Sequence, residues 1–187
     1  MDATHIVNAG VGSQALISYR EPAAESPWYV LHTCANHEKA VVRQLELRSF
    51  ECFLPLYEKM SRWKDRQVKV ELPLFSGYVF VRMALSEKLR ALQVPGVVRL
   101  VGFNGQAAPI DGDEMRALQR GLEGARLAEP WPYLAVGRRV RIRSGPLQGL
   151  EGVLARKKTI CRFVISLHLI QRSVGVEVDA ADLECIA

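Results

Sequence analysis

The chain is predicted to be α+β, with a mostly antiparallel split-βαβ sheet flanked by helices, linked to a small β-barrel. Three observations predict this. Strand and helix periods alternate as β-α-β-β-α-β from Trp28 to Phe103, and a closing helix follows. Residues 123–133 break every period and carry Pro130 and Pro132. From Val136 onward helical spacing disappears, and short period-two runs between glycine turns replace it. The implied division is a disordered tail at 1–27, a sheet domain at 28–122, a linker at 123–133 and a barrel at 134–187.

The tail is rich in Ala, Gly, Ser and Glu and lacks a sustained period; the stretch from Ile6 to Ile17 suits either a short helix or a strand. Order is expected to begin at Trp28, because Trp28–Thr33 carries the aromatic and aliphatic residues of a buried strand. Asn36 is the expected N-cap of an amphipathic helix over 37–49, with Ala40, Val41, Leu45 and Leu47, and with them Val42, at helical spacings on its apolar face. Phe50 to Met60 reads as a strand that bends or reaches an edge at Pro55. Residues 61–67 read as a polar, basic hairpin tip, and Val68–Leu72 returns by alternation. Gly77 permits a turn before the apolar run at 78–81. Ser86 is the expected cap of a short helix ending before Pro95-Gly96. Val97–Phe103 reads as a strand closed by the Asn104-Gly105 turn. Asp111 with Glu114 forms a capping box for a helix bearing Met115, Leu118 and Leu122, which Gly121 or Gly124 ends.

In the barrel segment, Val140 and Ile142 alternate with Arg139, Arg141 and Arg143, so the cations are expected to face outward. Arg156, Lys157, Lys158 and Arg162 extend that basic surface. The β-branched Val164, Ile165, Val174, Val176 and Val178, with the turn glycines, favour strands over any helical alternative.

The 187 residues are 49% apolar and 24% charged, an ordinary globular mixture. No apolar run is long enough to span a bilayer, and no export signal is read at the N-terminus. The net charge of +5 favours a polyanionic partner, and it sits on the two folded segments, since the first 27 residues are net negative. Cys34, Cys52, Cys161 and Cys185 form no C-x-x-C pair and read as reduced thiols of a cytoplasmic protein. His32, Cys34 and His37 lack a fourth ligand, so no metal is expected. No phosphate-binding glycine loop and no nucleophile with a nearby base is present, so neither a cofactor nor a catalytic residue is assigned.

Two motifs coincide. Trp28-Tyr29-Val30 is followed by Pro73-Leu74-Phe75-Ser76-Gly77-Tyr78-Val79-Phe80-Val81, which resembles the signature of the NusG N-terminal (NGN) domain. Gly137-x-x-Val140-x-Ile142, Gly145-Pro146-Leu147-x-Gly149 and Gly152-Val153 resemble a KOW motif, which implies an SH3-like barrel. In that order, over residues 28–187, they resemble the NusG family of transcription elongation and antitermination factors. The resemblance implies a monomeric regulator that binds the β′ clamp helices and the β subunit of RNA polymerase. Tyr78 and Phe80, with Leu100 and Ile110, match the positions of the apolar polymerase-binding patch, and Glu87, Lys88 and Leu89 match the contact to the β subunit. A strand position such as Phe80 is equally compatible with its own core.

Arg62, Trp63, Lys64 and Arg66 place cations around one aromatic ring, a composition suited to non-template DNA or to a solvated tip. Arg156, Lys157 and Lys158 are candidates for DNA or nascent RNA. Leu147 and Ile170 match positions that bind protein partners in KOW domains, the small ribosomal subunit or Rho among them. Phe50-Glu51-Cys52-Phe53-Leu54-Pro55 and the compact segment before Pro73 are closer to specialised paralogues acting at selected operons than to the housekeeping protein. A general factor coupling polymerase to ribosomes or Rho, and a stand-alone RNA-binding or ribosome-associated KOW module, are the alternatives.

Overall fold

A computed structural model describes residues 4–9, 13–18, 26–63, 66–123, 128–131, 138–145, 147–157, 160–178 and 182–186. They fall into two compact units, built chiefly on Gln14–Gly112 and on Asp113–Ala187.

The first unit is a seven-stranded sheet. Its strands are β1 (Thr4–Ala9), β2 (Ser13–Ser18), β3 (Trp28–Thr33), β4 (Glu51–Trp63), β5 (Arg66–Pro73), β6 (Tyr78–Arg82) and β7 (Val97–Leu100). Their order is β1-β2-β4-β6-β3-β7, with β5 also paired to β4. The central pairs β4–β6, β6–β3 and β3–β7 are antiparallel, which is the expected split-βαβ core. Helices α1 (Glu38–Leu47) and α2 (Lys88–Leu92) bury Val41, Val42, Leu45 and Ala91 against Tyr29, Leu31, Cys52, Leu54, Val79 and Val81. Their alternation along each strand puts every second residue on this face. β4 pairs with β6 over Glu51–Phe53 and with β5 from Leu56 onward. Pro55 stands at the exchange of partners, where its missing N–H costs no ladder bond.

Several local expectations need correction. The segment read as a disordered tail contains β1 and β2, which extend the sheet beyond β4; its Thr4, Ile6 and Val7 supply β-branched character that the small residues around them diluted. Asn36 does not cap α1: it takes a left-handed φ of 61° in the preceding turn, and His37 occupies the cap position without a side-chain capping bond. Asn tolerates that conformation better than most residues. Ser86 lies inside a 3-10 turn, Leu85–Glu87, that leads into α2, so it caps nothing.

A two-stranded hairpin, β8 (Gly102–Phe103) and β9 (Gln106–Ala107), turns through Asn104-Gly105 as read. Helix α3 then runs from Gly112 to Glu123.

The second unit is a six-stranded antiparallel sheet: β10 (Ala128–Trp131), β11 (Arg138–Ile142), β12 (Glu151–Lys157), β13 (Ile160–Leu167), β14 (Arg172–Val178) and β15 (Leu183–Cys185). The order is β10-β14-β13-β12-β11-β15. Val140, Ile142, Phe163, Val164, Leu167, Val174 and Val176 form its core. From residue 134 onward the described residues contain no α-helix, in keeping with their β-branched composition. Residues 128–131, read as linker, form β10 instead. Gly121 does not end α3; it lies within the helix against Ile165, where a Cβ would collide with the Ile165 side chain. Glycine there lets helix and strand approach closely. No helix among the described residues is long and apolar enough to cross a membrane.

Candidate partner-binding surfaces

The Pro73–Val81 motif divides into core and surface positions. Leu74 and Phe75 are buried, and Phe75 meets Phe80 edge to face at 5.4 Å between ring centroids. Gly77 carries a φ of 81°, a value that glycine reaches without strain. Its N–H donates to the buried Glu38 carboxylate at 2.7 Å, and its carbonyl accepts from the Thr33 N–H at 2.9 Å. These bonds fix the start of β6, and with it Tyr78, against β3.

Tyr78 is half-buried and opposes His32 in the β3–β6 register, with ring centroids 5.5 Å apart. His32 also opposes the exposed Arg99 across the β3–β7 pair. Directly opposed residues of antiparallel strands share a face, so Arg99, His32 and Tyr78 form one row across three strands, on the face away from α1 and α2. The Nδ1 of His32 and the Oγ1 of Thr33 are enclosed with no hydrogen-bond partner among the described residues, an uncommon state for buried polar atoms. His32 was absent from the sequence-based patch and Arg99 likewise. The signal for both is register, which a single strand's alternation does not carry.

The other expected patch residues separate. Phe80 shares the parity of Tyr78 but is fully buried, flanked by Phe75 and by Phe53 at 5.9 Å, so it offers no surface. Ile110 is buried too, its N–H bonded to the Trp28 carbonyl. Leu100 opposes Leu31 and packs on the helix-covered core, which places it on the face opposite Tyr78. At α2, Glu87 is half-buried and paired with Arg90, whereas Lys88 and Leu89 are exposed. Leu85 and Leu89 are among the large apolar side chains left open to solvent. Arg90 crosses the Phe50 ring at 5.1 Å and bonds the Arg48 carbonyl, and Arg48 returns the bond to the Arg90 carbonyl. That clasp holds α2 on the end of α1.

The basic candidates sit at two hairpin ends. Arg62 opposes Gln67 and Trp63 opposes Arg66 at the tip of the β4–β5 ribbon. Arg156 opposes Cys161 and Lys157 opposes Ile160 at the end of β12–β13. Lys64 and Lys158 lie outside the described residues.

In the second unit, Val140 and Ile142 point inward and Arg139 and Arg141 outward, as read. The outward cations are matched by carboxylates. Arg141 bonds Glu151 and reaches Glu184 at 3.6 Å, and Arg139 reaches Glu151 at 3.2 Å. The hydrogen bond from Arg141 holds the Glu151 carboxyl below its ordinary range. Arg162 is corrected outright: it is buried between Glu129 and Glu177 and adds nothing to an outer basic face. Leu147 and Ile170 are buried at 6% and 7% exposure, so they serve the core rather than a docking surface. An open groove of about 830 Å³ lies between α3 and strands β12 and β13. Its Arg116, Arg139 and His168 are paired with Asp113, Glu151 and Glu114, which leaves little net charge for a polyanion.

Comparison with known proteins agrees with this architecture. The family model described as "Transcription termination factor nusG" matches residues 26–119. The transcription termination/antitermination protein NusG of Pseudomonas aeruginosa is 28% identical over 172 residues, covering 84% of this chain and 97% of that protein. Its Staphylococcus aureus counterpart is 27% identical over 182 residues, covering 88% and 98%. A solved structure titled "Domain interaction in Thermotoga maritima NusG" shares the fold, with a TM-score of 0.51 at 23% identity, over 89% of this chain and all of the other. With its central sheet unit matched by the family model and its length spanned by these relatives, the chain belongs to the NusG family of transcription termination and antitermination factors.

Proposed function

We propose that the chain regulates transcript elongation by binding RNA polymerase through the sheet unit, increasing processivity without catalysing a reaction. The observation that carries this reading is the row Arg99–His32–Tyr78, which the family's own β6 motif builds and leaves at the surface. A half-buried tyrosine tilted against a histidine beside a cation suits a protein ligand: the rings give area at low rotamer cost, and arginine and tyrosine dominate binding hot spots. The β′ clamp helices are the assigned partner, with Lys88 and Leu89 of α2 reaching the β subunit. The hairpin tip at Arg62, Trp63 and Arg66 is assigned to non-template DNA, and the second unit to a further partner such as the small ribosomal subunit, Rho or nascent RNA. Resemblance of the Phe50–Pro55 run to specialised paralogues supports action at selected operons.

The test is a pull-down with purified core polymerase. Tyr78→Ala should weaken binding by about 2 kcal/mol, roughly thirtyfold, with an unchanged circular dichroism spectrum. His32→Ala and Arg99→Ala should each weaken it less. Wild-type affinity in a folded Tyr78→Ala protein would remove this row from the interface.

A further inference from the structure

We propose that Arg90 is a positioning residue for polymerase binding: its guanidinium sets the direction of α2 against the end of α1, and so aims Lys88 and Leu89. This role rests on the β-subunit contact assigned to those two residues above, and it adds a residue that touches only its own chain.

α2 has little of its own to hold it. It runs for five residues, Lys88–Leu92, of which Ala91 alone is buried. A helix this short is not stable by itself in water, so its direction is set by what it is tied to. Lys88 and Leu89 project into solvent, Leu89 at 63% exposure. Arg90 supplies three ties at once. One guanidinium nitrogen donates to the Glu87 carboxylate, in the turn that leads into α2. A second donates to the Arg48 carbonyl at 2.9 Å. The carbon between them lies over the Phe50 ring, 5.1 Å from its centroid, and Phe50 belongs to the buried core.

The attachment is reciprocal. Arg48 is the C-cap of α1, and a helix end leaves carbonyls without intrahelical partners. Arg90 stands in the last turn of α2, where the N–H groups of Gln93 and Val94 go to the Leu89 and Ala91 carbonyls and pass the Arg90 carbonyl by. The Arg48 guanidinium donates to it at 2.7 Å. Each helix therefore ends on the other's arginine, with a cation where the helix dipole favours one. The task suits arginine and not lysine. A planar fork reaches two acceptors while lying over a ring, whereas an ammonium is a point charge with neither fork nor plane.

Affinity of the full chain for purified core polymerase tests this role. Arg90→Ala should weaken binding about fivefold, in the range of residues that act without touching the ligand, and keep the wild-type circular dichroism spectrum. Arg90→Lys should lose nearly as much. Arg48→Ala, which removes one bond of the set, should lose less. Leu89→Ala should weaken binding about as far as Arg90→Ala. The double variant should bind no worse than the weaker-binding single one, because both changes remove the same contact. Wild-type affinity in Leu89→Ala would remove the β-subunit assignment, and this role with it. With Leu89→Ala weakened, wild-type affinity in Arg90→Ala or Arg90→Lys would overturn the positioning role alone. So would losses that multiply in the double variant.

Discussion

The two units hold their interiors together by different means. The sheet unit encloses aromatic and aliphatic side chains on both faces of its central strands: Leu31, Leu54 and Val79 on one, Val30, Phe53 and Phe80 on the other. Its buried carboxylate, Glu38, is tied to a main-chain N–H, and its Glu51–Arg82 pair remains partly open to water. Glu51 is nonetheless raised above its ordinary range by burial, with Arg82 pulling the other way. The second unit surrounds a smaller core with ionic links, burying Arg162 between two glutamates and chaining Arg139, Glu151, Arg141 and Glu184 across β11, β12 and β15. Surface-to-volume scaling explains the contrast. A short segment has less apolar surface to remove from water, so each polar link carries a larger share of its stability.

Substitutions can break that comparison. The largest expected effect is Phe80→Ala, which should destabilise the sheet unit by about 3–5 kcal/mol while the second unit's transition stays put; two-probe denaturant unfolding would resolve this. Arg162→Ala should do the reverse. It leaves Glu129 and Glu177 partly enclosed without their cation and should cost the second unit about 3 kcal/mol on the same assay. If both substitutions moved both transitions equally, the units would not be independent. Gly77→Ala should cost about 1–2 kcal/mol, the price of a left-handed φ. A Cβ there has room, with its nearest neighbour, His32, 3.8 Å away, so the loss should be conformational rather than steric. The smallest effect is Glu151→Gln. Because Glu151 titrates below an unperturbed carboxylate, its contribution is present above the unfolded-state pKa and is lost as pH falls through the folded-state value. The melting temperatures of wild type and Glu151→Gln should differ slightly near neutral pH and converge in acid.

Much of the sheet unit is legible in the sequence because its elements carry strong periods. Trp28–Thr33 and Val79–Val81 read as strands, and Val41, Val42 and Leu45 as one helical face, whereas Ala40 and Leu47, read with them, are exposed. The candidate surface was only partly legible. Tyr78 and Phe80 have the same parity, so alternation assigns them to one face and says nothing of which is covered. Phe53 and Phe75, distant in sequence, enclose Phe80 and leave Tyr78 at the surface. Leu100 and Arg99 are neighbours in the chain, yet the pairing of β7 with β3 sends Leu100 to the helix side and brings Arg99 beside His32. In the second unit, alternation at Arg139–Ile142 placed the cations outward, but it did not reveal that Glu151 and Glu184 neutralise them. Pro130 and Pro132 argued for a linker, and they masked a strand whose one missing N–H falls on an edge.

Composition and period alone therefore determined the order of the central elements and the change from mixed to all-β architecture, and two motifs carried the resemblance to the family. These properties reside in local backbone preference and in which side chains avoid water. Tertiary structure alone decided which aromatic of the β6 motif meets solvent, which arginine is buried and where the linker docks. Each depends on residues far apart in the chain arriving at one place, and only strand register and close packing bring them there.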